Sequence, residues 1–368
     1  MSVKRVVIKI GTNLLTTNEN ILNKGFLSHI VEQIAEIFKK GFEPILVTSG
    51  AMACGRSLIQ FPKETKNIPV KQVLAAVGQS ILMQEYVNLF KDHSIIVAQI
   101  LLTELDVSKR ENFLNTRNIL QRLLTLRILP IVNENDVVAY KEIKFGDNDK
   151  LSARLAAMID ADMLILLTDV SGLYEENPQK NIHAKHIKRV EKITPEIIKM
   201  ASGANSKKSM GGMKSKVNAA NYAVMNGINT VIAYGREKNI LIDILEKKEE
   251  RGTIFVAACT KKEGRKKWMQ PQINKNAFIF IDDGAVRALR EKGSSLLPTG
   301  IKKVQGPFCR GDVVQIIDEK ELSIGYGIVN YDSEDLEKIL GRHTNEISTI
   351  LDAYFEPEAI HRDNMIVS

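Results

Sequence analysis

Met163-Leu-Ile-Leu-Leu-Thr168, followed at once by Asp169, decides how this chain is read. Five apolar residues in succession leave no wet face, so the segment predicts a strand buried on both sides, as parallel strands between helices are. Working outward, residues 151–159 read as a helix before it, residues 213–226 as a helix after it, stopped by Gly227, and residues 230–233 as the next strand. Toward the N-terminus the alternation continues. Strand 5–10 leads to an amphipathic helix over 26–40 with Phe26, Leu27, Ile30, Val31, Ile34, Ile37 and Phe38 on one face and Gly41 as its stop. Then come strand 44–48, helix 70–90, strand 95–102, helix 112–126 and strand 128–132. Such alternation predicts an α/β sandwich.

The pattern changes after Ala258. Residues 261–267, Lys-Lys-Glu-Gly-Arg-Lys-Lys, read as a solvated linker, and the remainder as short strands with turn signals and one helix over 283–292. The expected division is 1–258, a linker over 259–272, and a small mostly-β domain over 273–368. The net charge is +7. The positive excess lies in residues 1–258, with 35 Lys and Arg against 27 Asp and Glu, whereas 268–368 carry 11 against 16. That distribution favours an anionic ligand in the long N-terminal part over strong nucleic-acid binding by the C-terminal part. No apolar run approaches the ~20 residues of a membrane helix, and the apolar run after Met1-Ser-Val-Lys-Arg5 is broken by Lys9. Cys54, Cys259 and Cys309 are too scattered for a disulfide framework or a zinc site, so a reducing cytoplasm is expected.

Neither G-x-x-x-x-G-K-[ST] nor G-x-G-x-x-G occurs. Four other clusters fall at strand ends or helix starts, where open α/β sheets collect ligands. In Lys9-Ile-Gly-Thr12, a lysine within an apolar strand is costly unless it meets an anion; the alternative is an edge strand with Lys9 in water. Thr48-Ser-Gly-Ala51 suits an anion at a helix start, or a simple cap. Asn133-Glu-Asn-Asp136 and Gly146-Asp-Asn-Asp149 bring amides and carboxylates together, for recognition of an amino group or ordering of lysines; turn chemistry and an Asp149 cap explain the same residues. Finally, Thr168-Asp-Val-Ser-Gly-Leu-Tyr174 could cover a nucleotide, and Met210-Gly-Gly-Met-Lys-Ser-Lys216 opens a helix with Lys216 one turn inside, able to reach phosphate or to remain a solvated loop lysine.

Taken in order, these clusters resemble the amino-acid kinase family, and within it the members that phosphorylate glutamate; residues 294–301 and 306–312 resemble the PUA domain many bacterial members carry. The resemblance implies a three-layer α/β/α sandwich with a mainly parallel sheet plus the small PUA domain. It implies transfer of the γ-phosphoryl group of ATP, with Mg²⁺, to the γ-carboxylate of L-glutamate in the first step of proline biosynthesis; another acid such as aspartate or acetylglutamate, or RNA binding through the PUA domain, are the rival expectations. Lys9, Lys216 and Asp149 would be catalytic. Ser49, Asp136, Asn148 and Asn133 would hold glutamate. Lys9, Thr168, Asp169, Met210, Gly211, Gly212, Met213, Lys214, Ser215 and Lys216 would contact ATP, and no protein metal cage is expected. Asp106 and Glu142 would belong to feedback inhibition by proline. A homo-oligomer, dimer or tetramer, and handover of product to glutamyl phosphate reductase are further implications. Met210 and Ser215 stand where the family usually has threonine, and Asn13 where it has serine.

Overall fold

The computed structural model describes residues 3–17, 19, 21–59, 67–139, 148–176, 178, 181–202, 212–246, 251–352 and 356–367. They form two compact units. The first holds Met1–Val107 and Thr116–Lys261, the second Ser108–Asn115 and Lys262–Ser368.

The first unit contains strands β1 (Arg5–Ile10), β2 (Glu43–Val47), β3 (Val97–Leu102), β4 (Leu129–Glu134), β5 (Met163–Thr168), β6 (Leu173–Tyr174), β7 (His186–Ile187), β8 (Arg189–Val190), β9 (Asn229–Tyr234) and β10 (Thr253–Phe255). Its helices are α1 (Thr12–Leu15), α2 (Lys24–Lys39), α3 (Ala51–Leu58), α4 (Ile68–Lys91), most of α5 (Arg110–Thr125), α6 (Asn148–Met158), α7 (Pro195–Ser202), α8 (Met213–Met225) and α9 (Ile240–Leu245). Eight strands make one sheet in the order β3-β4-β2-β1-β5-β9-β10-β8. All pairs from β3 to β9 are parallel, and only β10 runs against β9. The two sides of β1 are reached by opposite routes, β2 on one and β5 on the other, which makes its carboxyl end the switch point where such sheets bind ligands.

Strand periodicity sorts the layers. Val6, Ile8 and Ile10 of β1, with Ile165 and Leu167 of β5, turn to a core shared with Phe26, Ile30, Ile34 and Ile37 of α2, Tyr86 and Phe90 of α4, and Ile240 and Ile244 of α9. The other face meets α6, which packs on β1 and β5 and against α8. This is the expected three-layer sandwich. Lys9 lies on that second face, in a central strand paired to Val47 and Leu166, so the edge-strand alternative does not hold.

α3 and α4 approach to backbone contact. A β-carbon on Gly55 would lie 2.0 Å from the Leu74 carbonyl oxygen, and one on Gly78 1.8 Å from that of Ala51. Glycine, neutral to poor in helix interiors, is needed here for close approach.

The second unit adds α10 (Lys261–Met269) and α11 (Asp283–Lys292), short helices α12 (Ser333–Lys338) and α13 (Ile347–Ile350), and strands β11 (Ile273–Ile281), β12 (Ile301–Gln305), β13 (Val313–Asp318), β14 (Ser323–Ile328) and β15 (Met365–Val367), in sheet order β12-β11-β13-β14-β15. The segment expected as a solvated linker is therefore largely helical, with Met269 buried beside Leu114, Val313, Ile328 and Ile366. The charge pattern hid this, because Met269 anchors a helix on which Lys262, Glu263, Lys266 and Lys267 face water.

Candidate active site

Parallel pairing brings the carboxyl ends of β1, β2, β4 and β5 together, and α6 and α8 point their N-terminal turns at them. Lys9 Nζ lies 2.6 Å from Asp149 Oδ1 and Lys216 Nζ 3.1 Å from Asp149 Oδ2. All three side chains are buried, Asp149 completely. Two residues 207 positions apart in the chain thus meet on one carboxylate (216 minus 9). Burial pushes the Asp149 carboxyl upward, but Lys9 and Lys216 outweigh it and hold it below the ordinary carboxylate value. These three groups sum to one positive charge, as suits an anionic ligand.

Beside the ionic cluster runs a line of amides. Asn148 Nδ2 donates to Thr48 O at 2.7 Å, Ser49 Oγ at 3.0 Å and Asn133 Oδ1 at 3.1 Å. Asn133 Oδ1 also accepts from the Glu134 backbone N–H at 2.9 Å, and Asn133 Nδ2 donates to Gln79 Oε1 at 2.8 Å. Behind them the Thr48 hydroxyl shares a 2.8 Å bond with the buried Tyr86 hydroxyl. Asp136 sits in the turn after β4, where burial pushes its carboxyl up to about 6.

On the other flank, Thr168 ends β5, and its hydroxyl donates to Asp169 Oδ1 at 3.1 Å. Asn13 Nδ2 donates to Asp169 Oδ2 at 2.8 Å. Burial raises the Asp169 carboxyl, yet these bonds bring it below its ordinary value. Gly11 N–H donates to Leu167 O at 2.9 Å, and a β-carbon at Gly11 would stand 3.1 Å from that oxygen. Gly212 is the N-cap of α8, with no side-chain cap. The Ser215 N–H donates to Gly212 O at 3.0 Å, and the first-turn N–H groups of Met213 and Lys214 suit phosphate oxygens.

The structure therefore brings together Lys9, Lys216, Asp149, Ser49, Asn133 and Asn148. It sets Thr168 and Asp169 at the end of β5, and Gly212, Met213, Lys214 and Ser215 at the start of α8. Met210, Gly211 and Glu142 lie outside the described residues. Asp106 closes a turn after β3, accepting 2.7 Å bonds from both the N–H and the hydroxyl of Thr103. Among the described residues, no group of three His, Cys, Asp or Glu could hold a metal. Sequence reading missed Gln79 and Tyr86. With Gln72 they recur every seven residues on α4, a polar stripe on one helical face.

Residues 4–234 match the amino acid kinase family and residues 278–351 the PUA domain. A glutamate 5-kinase of Dehalococcoides mccartyi is 45% identical over 367 residues, covering 99% of this chain and 98% of its own. One from Caldanaerobacter subterraneus subsp. tengcongensis is 42% identical over 363 residues, covering 99% and 97%. Carbamate kinase from Giardia lamblia, solved bound to AMP-PNP, is 18% identical with a TM-score of 0.49, over 69% of this chain and 98% of that one.

Proposed function

Because the chain belongs to the amino acid kinase family and to its glutamate 5-kinase branch, we propose that it transfers the γ-phosphoryl group of ATP to the γ-carboxylate of L-glutamate, giving L-glutamyl 5-phosphate for proline biosynthesis. The observation that supports this reading most is the pair of ammonium groups held on Asp149 at the carboxyl end of β1.

The acceptor carboxylate is already ionised near neutral pH and needs no general base. One of its oxygens forms a bond to the γ-phosphorus as the bond from that phosphorus to the β,γ-bridging oxygen breaks, and ADP leaves with the electron pair. The chemistry is mostly positioning and charge stabilisation. Lys9 and Lys216 bring positive charge to the transferring oxygens, while Asp149 fixes both lysines in place and prevents them from repelling each other apart. Ser49, Asn133, Asp136 and Asn148 orient glutamate. Thr168, Asp169 and the stretch 210–216 hold ATP. Mg²⁺, bound through phosphates and water, would add further charge neutralisation. Proline inhibition through Asp106 and Glu142, self-association, a cytoplasmic location, and handover of the acyl phosphate to a reductase belong to the same proposal. So does the division at 258 and 273.

An ADP-release assay with Mg·ATP and glutamate, aspartate or acetylglutamate tests the reading. Turnover is expected with glutamate alone and to fall when proline is added. Preference for another acid would overturn the substrate assignment.

A further inference from the structure

The amide line ends in a donor that nothing above employs, and we propose that Gln79 Nε2 binds the α-carboxylate of the substrate amino acid; this rests on the reading of the site as a glutamate pocket.

The orientation of each amide follows from its neighbours. The Asn148 group that faces Thr48 O, Ser49 Oγ and Asn133 Oδ1 has oxygens around it and must be the NH₂. Asn133 Oδ1 receives two donors, which leaves its NH₂ toward Gln79 and therefore Gln79 Oε1 toward Asn133. Turning any one of the three would set oxygen against oxygen or NH₂ against NH₂. Two ends remain. Among the described residues, Asn148 Oδ1 is a buried acceptor with no donor, on a side chain itself more than nine-tenths buried, and Gln79 Nε2 is a buried donor with no acceptor.

Such ends are expensive if they stay empty. An α-amino acid offers on one carbon the two groups they lack, an ammonium donor and a carboxylate acceptor. The direction of the line fits as well. Asn148 adjoins Asp149 and hence the two lysines, where the reacting γ-carboxylate must lie, while Gln79 stands two hydrogen bonds farther away. Its backbone is firmly held, since the adjacent Gly78 packs α4 onto α3 without clearance. One helical turn pair earlier, Gln72 Nε2 donates to Val137 O at 2.7 Å, tying the same helix to the turn that carries Asp136.

Gln79→Glu separates binding from scaffolding. It keeps an oxygen for Asn133 Nδ2 but replaces the donor with a second carboxylate oxygen. The expected result is a glutamate KM raised about 30-fold, in the range for losing a hydrogen bond to a charged group, with kcat within about threefold and the KM for Mg·ATP unchanged. Isoglutamine, which keeps the γ-carboxylate but carries an α-amide, is expected to be a poor substrate for the wild type and at least as good for Gln79→Glu. Should Gln79→Glu not fold, Gln79→Leu, lacking donor and charge alike, is expected to raise the glutamate KM about 10-fold and narrow the preference for glutamate over isoglutamine. Wild-type turnover of glutamate together with a variant KM within twofold of wild type, or with equal shifts in the glutamate and Mg·ATP constants, would overturn the assignment and leave Gln79 as a prop for Asn133. Absence of glutamate turnover in the wild type would instead sink the underlying reading and this assignment with it.

Discussion

Asp149 carries two ammonium groups and little else could take its place. Asp149→Asn would leave Lys9 and Lys216 facing each other in a buried site, and a loss of about 3–5 kcal/mol is expected in urea unfolding, the scale for breaking a buried ion pair. Lys216→Ala keeps the Lys9–Asp149 pair, so the fold should survive while turnover drops at least ~100-fold, the scale of one transition-state charge contact; near-normal turnover would remove Lys216 from the chemistry. The carboxylates of Asp149 and Asp136 respond to pH in opposite senses. Asp149 has its folded value depressed, so its contribution to stability is present above the unfolded value of about 4 and is lost as pH falls through the folded one. Asp136 has its value raised from 3.8 to about 6 by burial. The folded chain holds that extra proton between those values, so this contribution is complete below the lower one and is lost as pH rises through about 6. A substrate ammonium beside Asp136 would favour the ionised form again. The glutamate KM is therefore expected to rise as pH is lowered through about 6, and Asp136→Asn to abolish that trend; a KM flat in the wild type would separate Asp136 from the ammonium.

At the scale of elements, the α3–α4 contact is the sharpest test. Gly78→Ala would place a methyl group 1.8 Å from the Ala51 carbonyl oxygen, so the helices must part. A loss of about 1–3 kcal/mol is expected from such overpacking, with a raised glutamate KM because α3 starts just after Ser49 and α4 carries Gln79; unchanged unfolding and kinetics would mean the two helices yield freely. The sequence foretold the sheet well because β1, β2, β4 and β5 are apolar on both faces, a pattern few other elements produce. Lys9 was conspicuous for the same reason, as a charge in a run that should have none. Gln79 was not, because glutamine is ordinary in a helix and its meaning comes from Asn133, 54 positions away. Gly55 and Gly78 mark the closest packing of α3 and α4, which local propensity does not reveal because it carries no information about which backbone lies opposite. The helix over Lys261–Met269 was hidden by its charges, although Met269 anchors it in the core.

For the molecule as a whole, the order of strands decides the chemistry. Residues 9, 49, 133, 149 and 216 are scattered through the chain and become neighbours because β1 lies between β2 and β5. Motif order could suggest such a gathering, but only the register supplies it. The division into units is likewise a property of the folded whole. The second unit takes Ser108–Asn115 along with Lys262–Ser368, and within it Leu114 is buried with Val313, Ile328 and Ile366, Arg110 pairs with Asp312 at 2.8 Å, and Arg310 bonds to Asn115. A chain cut after Lys261 would lay Leu114 and Phe113 bare. It is expected to scatter light and precipitate at concentrations where the intact chain stays clear, and Leu114→Glu in the shortened chain to restore clarity; a shortened chain as soluble as the full one would refute this. The same interleaving sets a timetable for biogenesis. Leu114 leaves the ribosome some 200 to 250 residues ahead of the strands that cover it (positions 313 to 366). At about 5–20 residues per second, it waits roughly 10 to 50 s uncovered, so a newborn copy carries an apolar patch open to association for a period that the finished protein never revisits.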